Sequence, residues 1–362
     1  MKSSTIAVVA IASCFVPFHS RLAQAPPSWH RHVIDASSRG ADGVRTADVN
    51  GDGFADLVAG WEQGGITRVY LGSRDALGKP AWTAITVGKS PDVEDAVLFD
   101  ADGDGAMDVI SSTEGNHRRI LVHWAPPAQR YTRESDWTTE TLYADGTQWM
   151  FATPIDMDHR RGLDLVVGGK NRRAAVGWLE APVHPRNVSE WTFHRISEAG
   201  WIMSLKVIDM NRDGLPDILL TDRRGDLAGA RWLEHPGRSS PRLHGSWTNH
   251  WIGARGREAM LIDAADLDGD GLPEIVVPHY LGNDFRLSIF RSNPAAPAGG
   301  AWTEHAVRYP SVAGTPKGCR GRHRSGWSAG PGPVKREFER REARDRMASI
   351  SGLAIRSRMG CV

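Results

Sequence analysis

Cysteine is nearly missing from this chain: Cys14, Cys319 and Cys361 lie toward its two ends, and nothing between Cys14 and Cys319 supplies a thiol. Disulfides are thereby excluded as staples of the body, so packing, hydrogen bonding or bound metal must lock the fold. Long apolar runs are also missing. After residues 6–18 no stretch is apolar enough to cross a bilayer, and 6–18 itself is short for a span. An excess of one charge is absent as well, with 44 Lys and Arg against 43 Asp and Glu. That balance is uneven along the chain: residues 316–362 hold twelve basic and four acidic side chains, which leaves the remainder acidic. An acidic body attracts cations and repels phosphate, so a nucleic-acid partner is excluded. No His-Glu-x-x-His or phosphate loop occurs.

What the chain has is Gly (39), Pro (21) and Trp (14). Many short elements separated by tight turns are the expectation, which favours an all-β fold. Residues 1–25 read as an export signal: Lys2, the apolar stretch 6–18, then Ala23-Gln24-Ala25. The expected location is secreted or periplasmic. Ile11-Ala12-Ser13-Cys14 also has the form of a lipobox, so lipid anchoring through Cys14 is the alternative.

An internal repeat organises residues 26–315. Five nine-residue segments share one frame, beginning at Asp48, Asp100, Asp156, Asp209 and Asp266. Four are intact at positions 1, 3, 5 and 9: Asp48, Asn50, Asp52 and Asp56; Asp100, Asp102, Asp104 and Asp108; Asp209, Asn211, Asp213 and Asp217; Asp266, Asp268, Asp270 and Glu274. A second marker runs in phase, namely Trp29, Trp82, Trp137, Trp191, Trp247 and Trp302, five of them followed by Thr. Strand-like runs flank each acidic segment, a third apolar run comes next, and the Trp segment supplies a fourth. Four short strands per unit of about 50 residues is the arithmetic of a propeller blade.

The acidic frame and its period resemble the FG-GAP/VCBS repeats of integrin α-like propellers and of many secreted bacterial proteins. The resemblance implies an all-β β-propeller of four-stranded blades: five recognisable repeats plus a partial sixth. It also implies a calcium loop between the first and second strand of each blade. The loop chemistry points the same way. Alternating Asp and Asn at positions 1, 3 and 5 aim oxygens inward around a turn that Gly at position 6 permits, and position 9 is expected to close the cage. Oxygen-only donors select a hard cation. An EF-hand is rejected, because position 12 is Ala59, Ser111, Leu220 or Val277 where that motif needs Glu. The competing reading, ordinary Asp-Gly turns without metal, must hold several carboxylates together against their repulsion. About four Ca2+ sites are therefore expected.

The third segment departs from the frame, with Arg160 at position 5 and Arg161 at position 6. No calcium is expected there. Two readings stand: the Arg160 guanidinium sits among Asp156, Asp158 and Asp164 in place of an ion, or both arginines are solvated. The recurring tryptophans are expected to pack between neighbouring blades.

A ligand site is expected where residues just past the second strands converge: Trp61 and Glu62, Glu114 and His117, Lys170 and Arg172, Asp222 and Arg223, His279 and Tyr280. These expectations describe a binding, adhesion or display module for an extracellular glycan or protein, and favour it over an enzyme. A sugar-acting lyase or dehydratase is the alternative, and three or more of Glu62, Glu114, His117, Asp222, His279 and Tyr280 in one pocket would favour it. Residues 316–362 form a basic, low-order tail without an acidic loop, as though the frame shifts or the repeat ends early near residue 315. A truncated, inactive fragment is thus a further alternative.

Overall fold

In the computed structural model, residues 32–279, 286–293 and 301–308 are described. Residues 1–25, read in the sequence as an export signal, Trp29, Tyr280 and the tail 316–362 lie outside them. The chain divides into two units, Met1–Ala36 and Ser37–Val362, and the second carries all five described sheets.

These five four-stranded antiparallel sheets succeed one another along the chain, each with its strands in sequence order. Blade 1 comprises β1 (Ala41–Ala47), β2 (Asp56–Trp61), β3 (Ile66–Arg74) and β4 (Pro80–Lys89). Blade 2 comprises β5 (Val93–Phe99), β6 (Asp108–Thr113), β7 (Ile120–Trp124) and β8 (Thr138–Tyr143). Blade 3 comprises β9 (Gln148–Ile155), β10 (Asp164–Lys170), β11 (Ala175–Glu180) and β12 (Thr192–Glu198). Blade 4 comprises β13 (Ile202–Ile208), β14 (Asp217–Asp222), β15 (Gly229–Glu234) and β16 (Thr248–Gly253). Blade 5 comprises β17 (Asp263–Ala265), β18 (Glu274–His279), β19 (Arg286–Ser292) and β20 (Trp302–Arg308). The propeller architecture expected from the period is thus present as five successive blades.

Burial depends on strand position. Every residue of β6, β10 and β14 is buried, whereas the fourth strands alternate toward solvent. Both faces of the second strands are therefore covered, and their polar members, such as Ser111, Ser112 and Thr221, are buried along with their apolar ones. First strands of successive blades lie side by side. Arg45 of β1 pairs with Asp95 of β5 at 2.8 Å, and Lys206 of β13 pairs with Asp263 of β17 at 3.0 Å.

Apolar clusters straddle the blades. One joins Ile110, Val122 and Trp124 of blade 2 to Trp149, Leu165 and Trp191 of blade 3. A second joins Val166 and Trp178 of blade 3 to Leu205, Ile218 and Trp247 of blade 4. Trp137, Trp191 and Trp247 are buried, and each donates its indole N–H to a backbone carbonyl just upstream: Tyr131, Pro185 and Leu243. In blades 2 to 4 the recurring tryptophan thus fills the seam with the preceding blade and pins the connection before its own strand, whereas Trp82 packs within blade 1.

Candidate functional site: the acidic loops and the second-strand ends

Each acidic segment connects a first strand to a second, and local chemistry explains its shape. In loop 1 (48–56), Asp48 Oδ1 accepts the backbone N–H of Gly51 and Asp52, and Oδ2 accepts that of Gly53. Asn50 Oδ1 accepts from Asp52 N, and Asp52 Oδ1 from Phe54 N. Loop 2 (100–108) repeats these bonds with Asp100, Asp102 and Asp104. Loops 4 (209–217) and 5 (266–274) keep the same plan. Each carboxylate bends the chain around itself, an Asx-turn programme that requires left-handed backbone at position 6. Gly53, Gly105, Gly214 and Gly271 supply it, with φ between 81° and 91°.

Position 9 does a different job. Asp56, Asp108, Asp164, Asp217 and Glu274 are all buried. In blades 1 to 4 both carboxylate oxygens accept backbone N–H groups. One comes from position 2 of the same loop, and the other from the end of the third strand or just past it. For Asp108 the donors are Ala101 at 3.0 Å and Ala125 at 2.7 Å; for Asp164 they are Met157 at 3.2 Å and Ala181 at 2.8 Å. Burial outweighs these bonds and pushes the Asp108 and Asp164 carboxyls up to about 7 and that of Asp217 to about 6.

The residues present fit a hard cation. In loop 2, one oxygen each of Asp100, Asp102 and Asp108 lies within 4.8 Å of the others, and in loop 5 the same holds for Asp266, Asp268 and Glu274. The donor sets are oxygen only, as Ca2+ requires. In loops 1 and 4 position 3 is an amide, whose Nδ2 donates to Asp52 at 2.9 Å and to Asp213 at 3.0 Å. Two arginines already lean on the carboxylates. Arg186, from the β11–β12 connection, reaches Asp102 and Asp104 across the blade seam, with its guanidinium over Trp124. Arg291 of β19 pairs with Asp268 at 2.6 Å and Glu274 at 3.3 Å.

Loop 3 (156–164) corrects one expectation. Arg160 does not occupy the carboxylate cluster: its side chain is 61% exposed, and its Nε reaches only Asp158, at 3.7 Å. His159 pairs with Asp156 instead, on the oxygen that elsewhere caps position 6. The backbone gives the reason. Arg161 is not left-handed, and Gly162 takes that conformation one residue later, with φ 107°. The shift carries position 5 outward, where a long guanidinium is better hydrated.

The residues just past the second strands converge in part. Glu62, Glu114 and the first-strand residue Glu94 bring carboxylate oxygens within 4.8 Å of one another. Lys170 contacts Glu114 and stands 3.8 Å from Glu94, with its ammonium 4.5 Å from the Trp201 ring centre. Arg223 and Arg224 stack on the same indole at 4.6 Å. The remaining members are placed otherwise. Asp222 is buried and accepts the N–H groups of Gly200, Trp201 and Arg224. His279 is buried beside Ser288 at 3.1 Å. Arg172 is exposed and His117 half-exposed. Two of the six residues named for a sugar-acting pocket, Glu62 and Glu114, thus come together. Glu94 and Trp201 went unread in the sequence because they belong to the first-strand side of their blades, not to the ends of the second strands.

No described helix is long and apolar enough to cross a membrane. A search of the curated proteins returns no match. Residues 48–111, spanning the first acidic loop to the second strand of blade 2, match the family model of the FG-GAP-like repeat. That repeat points to a propeller-type ligand-binding or adhesion module. Residues 48–111 are thus similar to an FG-GAP-like repeat, and the five-fold series of four-stranded sheets in which they lie has β-propeller architecture.

Proposed function

We propose that this protein is an exported, calcium-binding β-propeller that presents a ligand-binding surface at the second-strand ends of its blades. The observation that carries the reading is the gathering of three carboxylates in loop 2 and again in loop 5, with oxygen donors alone. Such clusters repel strongly unless a cation holds them. Calcium would be held by Asp100, Asp102, Asp104 and Asp108; by Asp266, Asp268, Asp270 and Glu274; and by the sets beginning at Asp48 and Asp209. It would supply charge neutralisation and rigidity at the turn between first and second strands. Lys170 and Arg223 on the Trp201 ring, with the Glu62, Glu94 and Glu114 cluster next to Lys170, offer hydrogen-bonding groups of both signs beside an aromatic face, a combination suited to a glycan or a polar peptide.

Thermal melting of the full chain with calcium and with chelator tests the first half. A melting point that rises with calcium and falls with chelator is expected, and indifference to both would remove the ion. Glycan-array binding of wild type and Trp201→Ala, each with and without chelator, tests the second half.

A further inference from the structure

Two imidazoles and a carboxylate meet on the seam between blades 3 and 4, beside loop 3 and apart from the four loops proposed to bind calcium. His194 of β12 places Nε2 2.9 Å from Glu180 Oε2, and His244, on the connection between β15 and β16, places Nε2 3.8 Å from the same oxygen. One ligand atom from each lies within 4.8 Å of the other two. The imidazole centres are 4.4 Å apart, and the buried Trp178 ring flanks both, at 4.8 Å from His194 and 5.5 Å from His244. Arg161 stands 3.5 Å from the other carboxylate oxygen, Oε1, which leaves Oε2 turned toward the histidines.

The repeat supplies its own control. Blade 4 has the same unit, with His250 Nε2 2.7 Å from Glu234 Oε2 and stacked on Trp232. The Trp-His-Glu unit is thus a recurring packing device, and a carboxylate bond to one histidine needs no metal. Only in blade 3, among the described residues, does a second histidine join, delivered by the neighbouring blade.

We propose that Glu180, His194 and His244 bind one divalent transition ion of the Zn2+ type, which staples blade 3 to blade 4. Imidazole nitrogen with one carboxylate oxygen is a donor set that suits Zn2+ and its neighbours, not Ca2+. Tetrahedral Zn2+ wants its ligand atoms about 3.4 Å apart, given metal–ligand bonds of about 2.0–2.1 Å. His194 and Glu180 are already closer than that, and their side chains are 16% and 18% exposed. His244 is 41% exposed on a surface turn and has room to swing in. Its outward side leaves a coordination position for water.

The site shares no residue with the calcium loops, so its fate and theirs are separable. The test is titration of the full chain with ZnCl2 under saturating calcium, read by calorimetry and by melting, with CoCl2 absorption as the report of coordination. Wild type should bind one Zn2+ and melt higher with it, and Co2+ should give the visible bands of a tetrahedral site. His244→Ala should weaken binding by more than about 10-fold and abolish the Co2+ bands, while its melting point without zinc stays that of wild type. His250→Ala should bind Zn2+ as wild type does. No Zn2+ binding by the wild type, binding that survives His244→Ala, or equal loss in His250→Ala would each overturn the proposal.

Discussion

Loops 2 and 3 share one frame, and of its positions 1, 3, 5, 6 and 9 only 5 and 6 differ, where Asp104 and Gly105 give way to Arg160 and Arg161. Half of the hydrogen-bond programme survives that change. Asp156 still caps His159 N, Asp158 still caps Arg160 N, and Asp164 still ties Met157 to Ala181. The other half is gone, and the left-handed residue has moved to Gly162. The comparison teaches that the motif is two devices laid over one another. Position 9 is a buried pin that joins the first, second and third strands, while positions 1, 3 and 5 with Gly at 6 form a cage. The pin serves the blade, and in the proposed function it also turns an oxygen to the cage, as Asp108 and Glu274 do in loops 2 and 5.

The largest effect should come from the pin, and it should be the same in both loops. Asp164→Ala and Asp108→Ala each leave two buried backbone N–H groups without an acceptor, a loss of about 2–5 kcal/mol. Urea unfolding in chelator measures it. If Asp164→Ala proves neutral while Asp108→Ala does not, the two-device account fails.

Calcium should separate the loops. At 100 times its dissociation constant, each occupied site adds about 2.7 kcal/mol. Asp104→Ala should remove one site from the calorimetric stoichiometry, and Asp158→Ala should remove none. The double change Arg160→Asp with Arg161→Gly rebuilds positions 5 and 6 and should add a site. A rebuilt loop that still ignores calcium would mean that something beyond those two residues disables blade 3.

pH sharpens the same contrast. The Asp108 and Asp164 carboxyls are raised to about 7 by burial, against an ordinary value of 3.8. The folded state therefore holds protons that the unfolded chain has released, so stability falls as pH climbs from about 4 to about 7. Both pins should contribute to this slope in chelator. Saturating calcium should flatten the Asp108 part, since a nearby divalent ion favours the carboxylate, and leave the Asp164 part. Unfolding free energy against pH, for wild type and for Asp164→Asn, gives the readout.

Loop 3 also shows what the sequence could have disclosed. The blades were legible because two markers, Asp at position 1 and the Trp at or just before the fourth strand, keep one period, and in blades 2 to 4 the structure spends both on the same places. The pin was legible too, and went unread: Asp164 persists in a loop whose cage has decayed, so it must have work other than metal. Trp178-Leu179-Glu180 and Trp232-Leu233-Glu234 likewise announce partners for His194 and His250, since antiparallel register sets each Trp opposite its His. The Glu180–His244 contact was not legible, because it depends on how one blade's connection drapes over its neighbour. The outward turn of Arg160 was not legible either, since it rests on a one-residue displacement of left-handed backbone that Gly162 alone does not announce.

The smallest effect concerns Arg186. Its guanidinium lies on Asp102 and Asp104, half exposed, so it competes with any cation in loop 2 while neutralising part of the charge that would attract one. Loop 1 has no described arginine against it. A partly exposed ion pair is worth about 0.2–1 kcal/mol, so Arg186→Ala should tighten calcium at loop 2 by about 1.5- to 5-fold and leave loop 1 as it was. Calorimetry on Asp52→Ala and Asp104→Ala backgrounds assigns the change to one loop. Weaker binding after Arg186→Ala would reverse the reading: the arginine would then hold the Asp102 and Asp104 carboxylates in place for the ion, acting as part of the cage's frame and not as its rival.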